Sequence, residues 1–266
     1  MDDHQFARLL EFLNYSWDGY RKVRKGVKKR VARHMQELGC RNIDRYLANL
    51  ETDPGVRAEC KRRMTVSISR FFRDRRLWEI LEKRVLPGLA VQGRDSVRVW
   101  FAGCAGGEEV YSFRILWEAF AAGFKAPPEL LVIATDVTPD YLERAEKGIY
   151  PMAALKEVDA ATLAHWFEHV KKEQYMVKPF LKQGIDWRVH DLLADDPPAE
   201  ELDIIFLRNN LLTYYAAELA RKPLERVIDA LRTSGFLVIG AKEEMPAAGQ
   251  RRLMRYDRYV FQKNAG

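Results

Sequence analysis

The sequence predicts a doubly wound α/β protein with an all-helical N-terminal region, and three observations lead to this fold class. Residues 96–117, SVRVWFAGCAGGEEVYSFRILW, predict a strand, a glycine turn and a helix. In this stretch β-branched and aromatic residues alternate up to Gly103. After the glycine turn, apolar residues recur at helical spacing. Apolar strands and amphipathic helices alternate from there to the C-terminus, which is typical of a largely parallel sheet. Before residue 88 only helical patterns occur.

Residues 1–88 are predicted to form a helical domain of their own. Their apolar residues recur every three or four positions between short breaks, without the alternation that a strand requires. The polar stretch at 92–95 then marks the predicted domain boundary. The predicted helices cover 5–14, 20–39, 42–51 with a stop at Asp53-Pro54-Gly55, 57–65, and 77–85 with a stop at Pro87-Gly88.

Residues 96–266 are predicted to form the second domain. After the opening strand, apolar runs predict strands at 130–134, 202–207, 235–240 and 258–263, and helices are predicted at 139–147 and 216–232. Residues 151–165 are predicted to be helical in pieces. A small antiparallel β-subdomain is predicted at 168–188, and a further strand is predicted to end at Val189. In such a sheet a ligand lies beyond the carboxyl ends of the parallel strands.

Composition indicates an ordinary soluble chain, and we expect a cytoplasmic monomer. Of its 266 residues 47% are hydrophobic, but no apolar run reaches the roughly 18 to 20 residues that a membrane span needs. The acidic start lacks the basic segment of a signal peptide, so we expect no membrane insertion. Cys40, Cys60 and Cys104 lack metal-ligand spacing, and we expect reduced thiols and no metal.

The net charge of +6 is concentrated on the predicted helix at 20–39. Like charges at helical spacing repel one another, so either this face is simply solvated or it meets an acidic partner. Nucleic acid is a poor candidate, because no aromatic residues lie between the basic ones as stacking platforms. No acidic residue precedes Glu37 among the charges of this face, which are Arg21, Lys22, Arg24, Lys25, Lys28, Lys29, Arg30 and Arg33.

The glycine turn at 103–107 predicts a binding site for a nucleotide-like ligand, although such a turn is also found as a mere packing corner. It lets backbone N–H groups and the positive end of the next helix approach a ligand closely. Glu108 and Glu109 follow in the first helical turn, where they would repel a phosphate. We therefore expect a ligand with a cationic end.

Polar residues follow three further predicted strands. Asp136 could accept hydrogen bonds from both hydroxyls of a ribose, or it could cap the next helix. Asp191 could accept from an adenine amino group, or it could be an ordinary loop carboxylate. The group Arg208-Asn209-Asn210 ends an apolar strand, which favours a site over a structural role.

Five motifs of the chain, which include the glycine turn, Asp136 and Arg208-Asn209-Asn210, resemble those of the CheR-type chemotaxis receptor methyltransferases. The motifs occur in order over nearly the whole chain, and the family also has a basic helical N-terminal domain. They are SxSxFFRD (Ser67 to Asp74), GxxGGEExYS (Gly103 to Ser112), ATD (Ala134 to Asp136), RNNLLTYY (Arg208 to Tyr215) and GFLVIGAKE (Gly235 to Glu243).

The resemblance implies a Rossmann-like methyltransferase domain. Such an enzyme transfers the methyl group of S-adenosylmethionine to glutamates on the acidic cytoplasmic helices of a chemoreceptor, and leaves S-adenosylhomocysteine as product. It also implies that residues 168–188 form the small β-subdomain that can dock receptors. By position, the resemblance places Ser67, Ser69 and Arg73 at the methyl-transfer site, Gly103 and Glu109 at the methionine portion, Asp136 at the ribose, Asp191 and Leu192 at the adenine, and Asn209 or Asn210 beside the sulfonium.

The implied chemistry needs positioning more than proton transfer. A glutamate with a pKa of about 4.3 is already an anion at neutral pH, so no general base is required. We expect Arg73 to orient that carboxylate, because a guanidinium can hold one oxygen and leave the other free to attack. Alternatively Arg73 is a structural arginine paired with Asp74 or Glu79.

The chain departs from the family pattern at several positions. Ser67 and Ser69 replace Thr and Asn side chains, Val110 replaces a proline, and Gly240-Ala241-Lys242-Glu243 replaces GHSE. The spacing of RNNLLTYY leaves open whether Thr213 or Tyr214 faces the methyl group, with Tyr214 the expected catalytic residue. A cofactor-binding interaction module with weak or lost turnover is therefore the alternative function.

Overall fold

The computed structural model describes residues 1–67, 69–91 and 93–264. Its helices, in chain order, are α1 (Asp3–Leu13), α2 (Arg24–Glu37), α3 (Ile43–Thr52), α4 (Pro54–Met64), α5 (Arg75–Ile80), α6 (Leu86–Ala90), α7 (Glu108–Ala121), α8 (Pro139–Lys147), α9 (Ala160–Trp166), α10 (Leu211–Tyr214), α11 (Ala217–Ala230) and α12 (Ala247–Gln250). Its strands are β1 (Ser96–Ala102), β2 (Glu129–Asp136), β3 (Ile149–Pro151), β4 (Phe167–Lys171), β5 (Gln174–Val177), β6 (Ile185–Val189), β7 (Leu202–Leu207), β8 (Leu231–Ile239), β9 (Leu253–Arg255) and β10 (Val260–Lys263).

The chain divides into two compact units. The helical unit comprises Met1–Ser67 together with Asn210–Ala220, and the sheet unit comprises Ile68–Asn209 together with Arg221–Gly266. This division differs from the expected boundary at residues 88–96, since α5 and α6 belong to the sheet unit. Leu77, Leu81 and Leu86 explain this, because they are buried in the core that covers one face of the large sheet.

The helical unit is built on α1 to α4. Side chains fix the ends of these helices: Asp2 caps α1, Asn42 caps α3 and Asp53 caps α4. The stop predicted at Asp53-Pro54-Gly55 is thus a boundary between two helices, and Pro54 takes the first helical position, where its missing N–H costs nothing. The expected helix at 20–39 begins only at α2, because turns occupy the residues just before it.

Residues 210–220 belong to the helical unit through the loop between α1 and α2. Tyr15 and Tyr215 form an isolated antiparallel bridge, and their rings meet edge to face at 4.8 Å between centroids. Ser16 N–H donates to the Tyr214 carbonyl at 2.9 Å. These contacts join residues about two hundred positions apart, which no local sequence pattern can indicate.

The large sheet confirms the predicted α/β class. Its strand order is β6-β2-β1-β7-β8-β10-β9, with parallel pairing from β6 to β8 and antiparallel pairing from β8 through β10 to β9. Val99 and Phe101 of β1 face the core that contains Phe113 of α7. Because β6, β2, β1 and β7 are adjacent and parallel, their carboxyl ends are neighbours along one edge of the sheet.

A helical stretch longer than predicted precedes β1. It runs as α5, a π-helical turn at Leu81–Val85, and α6, so it does not stop at Pro87. Proline cannot supply the N–H of an ordinary α-helical bond. The wider π turn directly before Pro87 lets the helix continue past it.

The small antiparallel sheet has the order β3-β5-β4. Strands β4 and β5 of this sheet correspond to the first part of the stretch predicted at 168–188. Strand β3 precedes that stretch in the sequence. The last part of that stretch, β6, pairs instead with β2 in parallel. Val189 ends this strand, as predicted. Among the residues described, no helix is both long and apolar enough to cross a bilayer.

Candidate functional site

The glycine turn between β1 and α7 is held against the end of β2. The N–H groups of Gly103 and Cys104 both donate to the Thr135 carbonyl at 2.8 Å. Gly107 has a φ of +81°, and a Cβ there would lie 2.8 Å from that of Ala145. The turn therefore requires glycine for its backbone conformation and for the close approach of α8.

Glu108 offers a buried acceptor at the first position of α7. The residue is 4% exposed, and its Oε2 has no hydrogen-bond partner among the described residues. Its Oε1 lies 3.5 Å from Nη2 of Arg144. Burial raises the pKa of the Glu108 carboxyl, while the nearby Arg144 guanidinium and Ser69 hydroxyl lower it. An orphaned carboxylate oxygen beside a glycine turn fits the cationic end of a ligand.

Glu109, by contrast, is engaged by the protein. Its carboxylate pairs with the guanidinium of Arg208, which also pairs with Asp74. The Arg208 side chain is only 3% exposed, so these pairs lie largely out of water. Arg208 thus joins the end of β7 to the beginnings of α7 and α5.

The segment that carries Arg73 is pinned on both sides. Phe72 and Asp74 have left-handed backbones, with φ of 50° and 62°. Phe72 N–H donates to Oγ of Ser112 at 2.9 Å, and the Trp78 indole N–H donates to the Arg73 carbonyl at 2.9 Å. Left-handed non-glycine residues persist only where surrounding contacts hold them, and here those contacts come from α5, α7 and Arg208.

Arg73 itself is half-buried. The two structural partners considered for it are paired with other cations, since Asp74 contacts Arg208 and Glu79 lies 3.5 Å from Arg75. Each of these carboxylates therefore has another cationic partner.

Asp136 lies at the end of β2 and is 7% exposed. Its Oδ2 accepts from Ala105 N–H at 2.9 Å, and its Oδ1 accepts from Thr138 N–H at 2.9 Å. Burial raises the pKa of the Asp136 carboxyl, and these backbone hydrogen bonds lower it. Asp136 therefore ties the glycine turn to β2.

The loop after β6 carries Asp191 and Leu192. Oδ1 of Asp191 accepts from Leu193 N–H at 2.9 Å, and its carbonyl accepts from Ala194 and Asp195 N–H. Oδ2 of Asp191 and the N–H of Leu192 have no hydrogen-bond partner among the described residues. One free acceptor and one free donor are thus adjacent on this loop.

Asn209 follows Arg208 in a left-handed conformation with φ of 54°. Its N–H donates to Oε2 of Glu243 at 3.0 Å, and Gly240 N–H donates to the same oxygen at 2.6 Å. The segment at 240–243, which departs from the family pattern, therefore holds the backbone of Asn209 through a carboxylate.

The remaining expected site residues belong to the helical unit. They are Ser67, Asn210 and Tyr214. Oδ1 of Asn210 accepts from Leu211 N–H, and its carbonyl accepts from Thr213 N–H at 3.1 Å and from Tyr214 N–H at 2.9 Å. Asn210 thus caps α10, which fixes the local conformation of the irregular RNNLLTYY segment.

In the sheet unit, six of the residues predicted to form the site lie at the ends of four adjacent parallel strands: Asp191 and Leu192 follow β6, Asp136 ends β2, Gly103 and Glu109 follow β1, and Asn209 follows β7. The other two, Ser69 and Arg73, precede α5. Sequence reasoning missed the free oxygen of Glu108, the pairing of Arg208 and the role of Glu243. Of these three, only the Glu108 oxygen had a signal in the sequence, because Glu108 is adjacent to Glu109 in the turn. Within the described residues, no group of three or more His, Cys, Asp or Glu side chains is placed to hold a metal ion.

Comparison with known proteins identifies what this chain is similar to. The family model described as "CheR methyltransferase, SAM binding domain" matches residues 67–260. The chemotaxis protein methyltransferase of Listeria innocua is 32% identical over 219 residues, which cover 82% of this chain and 81% of that protein. Chemotaxis protein methyltransferase 1 of Pseudomonas aeruginosa is 28% identical over 226 residues, again covering 82% and 81%.

A longer protein also contains a similar region. An uncharacterized 104.1 kDa protein of Rhodobacter capsulatus is 31% identical over 244 residues. The match covers 90% of this chain but spans only 25% of that relative.

Proposed function

Because the chain belongs to the CheR methyltransferase family and is therefore an S-adenosylmethionine-dependent methyltransferase, we propose that its acceptors are glutamate side chains on the acidic cytoplasmic helices of a chemoreceptor. The products would be glutamyl methyl esters and S-adenosylhomocysteine. The observation that carries this proposal is the family match over residues 67–260, since it includes Arg73, the glycine turn and the segments after β2, β6 and β7. The two relatives named as chemotaxis protein methyltransferases support the receptor substrate.

We assign the parts of the bound cofactor to residues of the sheet unit. Asp136 would accept from the ribose hydroxyls, and Asp191 with Leu192 would bind the adenine. Glu108, whose Oε2 has no partner among the described residues, would accept from the cationic amino-acid end. Glu109 would act through Arg208, which it contacts. The assignments of Ser67, Asn210 and Tyr214 follow the family positions.

When bound, S-adenosylmethionine supplies an electrophilic methyl group on a positively charged sulfur. A glutamate oxygen would accept that methyl group, with the electrons of the broken C–S bond left on sulfur as a neutral thioether. The protein moves no proton, because the acceptor is already ionised at neutral pH. Its task is alignment in a dry site, which contributes up to roughly 7 to 11 kcal/mol in the best intramolecular systems.

Arg73 would orient the acceptor carboxylate. A guanidinium presents paired N–H donors in a fixed plane, so it can hold one carboxylate oxygen while the other points at the methyl group. The pinned backbone at Phe72 and Asp74 supports this role, because it limits how far Arg73 can move. The basic face of α2 would attract the acidic receptor helix and raise the association rate more than the rate of the chemical step.

A cofactor-binding module with weak or lost turnover is the second candidate function. One observation favours it: Asn210, a candidate neighbour of the sulfonium, uses its side-chain oxygen to cap α10. An asparagine engaged in this way has less freedom to contact a ligand.

The test is transfer of labelled methyl groups to a purified acidic receptor fragment. We expect label that mild base removes, and a fall in kcat of about a hundredfold in Arg73→Lys, because misplacement by about 1 Å has that cost. Arg75→Lys, at the exposed neighbouring position, should retain the wild-type rate. Binding of S-adenosylhomocysteine without transfer to any acidic helix would instead support the binding module.

A further inference from the structure

One guanidinium holds most of the loop that follows β6. Arg226 of α11 donates through Nη2 to the carbonyls of Leu192 at 3.2 Å and Leu193 at 2.9 Å, and through Nη1 to that of Ala194 at 3.3 Å. Asp196 lies 3.4 Å from Nη1, but its side chain is 91% exposed, so this ion pair contributes little. Three successive carbonyls thus share a single cation.

The internal hydrogen bonds of the loop determine which groups face outward. The Asp191 carbonyl points into the loop, where it accepts from the N–H groups of Ala194 and Asp195. In a trans peptide the C=O and N–H of one plane point in opposite directions. The N–H of Leu192 therefore points away from the loop interior.

Leu192 N–H and Oδ2 of Asp191, which have no partner among the described residues, match the edge of an adenine ring. Adenine presents a ring nitrogen that accepts a hydrogen bond next to an amino group that donates one. Leu192 N–H supplies the donor, and Oδ2 of Asp191, which has no partner among the described residues, supplies the acceptor. Both depend on a loop conformation that Arg226 fixes from outside.

We infer that Arg226 is a positioning residue for adenine recognition: by holding the carbonyls of residues 192–194, it keeps Leu192 N–H and the Asp191 carboxylate aimed at the purine. This inference rests on the proposed function only in that Asp191 and Leu192 bind the adenine. Arginine is required, because a lysine ammonium is a compact donor that cannot span three carbonyls with a planar fork.

The test measures binding of S-adenosylhomocysteine and of an analogue whose purine lacks the amino group, by calorimetry. In the wild type, loss of the amino group should weaken binding about tenfold, as expected for one hydrogen bond to a charged acceptor. In Arg226→Met, S-adenosylhomocysteine should bind about tenfold more weakly than it binds to the wild type. The analogue without the amino group should then bind to this variant as tightly as S-adenosylhomocysteine does. Arg226→Lys should resemble Arg226→Met, and either variant suffices if the other does not fold.

Arg221→Met is the matched control, because Arg221 lies on the same helix with a 62% exposed side chain. It should bind both ligands as the wild type does. If Arg226→Met or Arg226→Lys keeps the full tenfold penalty for the missing amino group, Arg226 does not position the adenine site and the inference is overturned. A wild type that binds neither ligand would overturn the proposed function itself. If the wild type distinguishes the two ligands and the Arg226 variants do not, but no methyl group is transferred, Arg226 keeps its role and only receptor methylation is rejected.

Discussion

The guanidinium of Arg208 pairs with the carboxylate of Glu109 inside the sheet unit, although 99 positions separate the two residues. The pair explains why two neighbouring glutamates in the glycine turn differ. Glu109 is neutralised by a buried arginine, whereas Glu108 is more deeply buried and keeps an oxygen without a hydrogen-bond partner among the described residues. The two carboxylates of the acidic turn therefore differ in their partners: Glu109 pairs with Arg208 through one oxygen, and Oε2 of Glu108 is unpaired within the described residues.

Arg208→Met should destabilise the sheet unit strongly. The substitution leaves Glu109 and Asp74 without their shared partner, and removing one member of a buried ion pair typically costs about 3 to 5 kcal/mol. Because Glu109 and Asp74 are partly exposed, we expect the lower end, about 3 kcal/mol in the free energy of unfolding from urea titration. The control Arg75→Met, at an 88% exposed side chain, should stay within about 0.5 kcal/mol of the wild type. Equal stability of the two variants would contradict the role assigned to Arg208.

Glu108→Gln should change how stability depends on pH when no ligand is bound. Burial raises the pKa of Glu108, so the folded state holds more protons than the unfolded state between the ordinary and the raised pKa. Its contribution to stability therefore falls as pH rises through that window. Relative to the wild type, Glu108→Gln should gain stability at pH 7.5 and lose this advantage toward pH 5, as measured by thermal unfolding. A constant difference across that range would show that the Glu108 carboxyl is not perturbed.

Asp136→Ala should lose most of the affinity for S-adenosylhomocysteine. The variant removes the acceptor for the ribose and frees the glycine turn, because Oδ2 holds Ala105 N–H. Two hydrogen bonds to a charged group correspond to a loss of about a hundredfold or more, which calorimetry can measure. Asp140→Ala, at an exposed position in the first turn of α8, should bind normally. A loss of tenfold or less in Asp136→Ala would argue against the ribose assignment.

Gly107→Ala should impair both folding and ligand binding. A side chain there must adopt φ of +81° and would press against Ala145, and the left-handed conformation alone costs about 1 to 2 kcal/mol. Gly88→Ala is the matched control, because nothing lies within 4 Å of its added Cβ and alanine favours the helix by up to about 1 kcal/mol. Thermal unfolding should show that Gly107→Ala is less stable than the wild type and that Gly88→Ala is more stable. A stabilised Gly107→Ala would show that the turn tolerates side chains.

Local patterns were sufficient to predict the parallel part of the fold. Alternating apolar residues located β1, and continuous apolar runs located β2 and β7. Because carboxyl ends of parallel strands share an edge, Asp136, Asp191 and Asn209 could be grouped before their positions were known. The strand ending at Val189 was predicted too, but its pairing with β2 is a long-range contact that a sequence pattern does not contain.

The features that could not be predicted depend on distant partners. The different environments of Glu108 and Glu109 depend on the distant Arg208, and residues 210–220 join the helical unit through Tyr15 and its neighbours. Pro87 indicated a helix end by its chemistry, yet a π turn and burial of the flanking leucines carry the helix past it.

Esterification of glutamate is the part of the proposed function that sets the substrate, and it is tested by mapping the atom that receives the methyl group. The purified protein would be incubated with S-adenosylmethionine carrying a deuterated methyl group and with an acidic helical receptor fragment, and the fragment would be sequenced by mass spectrometry. We expect deuterated methyl groups on glutamate side chains, removed by mild base and absent when Arg73→Ala replaces the wild type. Label on lysine, on a backbone terminus or on any site that resists mild base would contradict it.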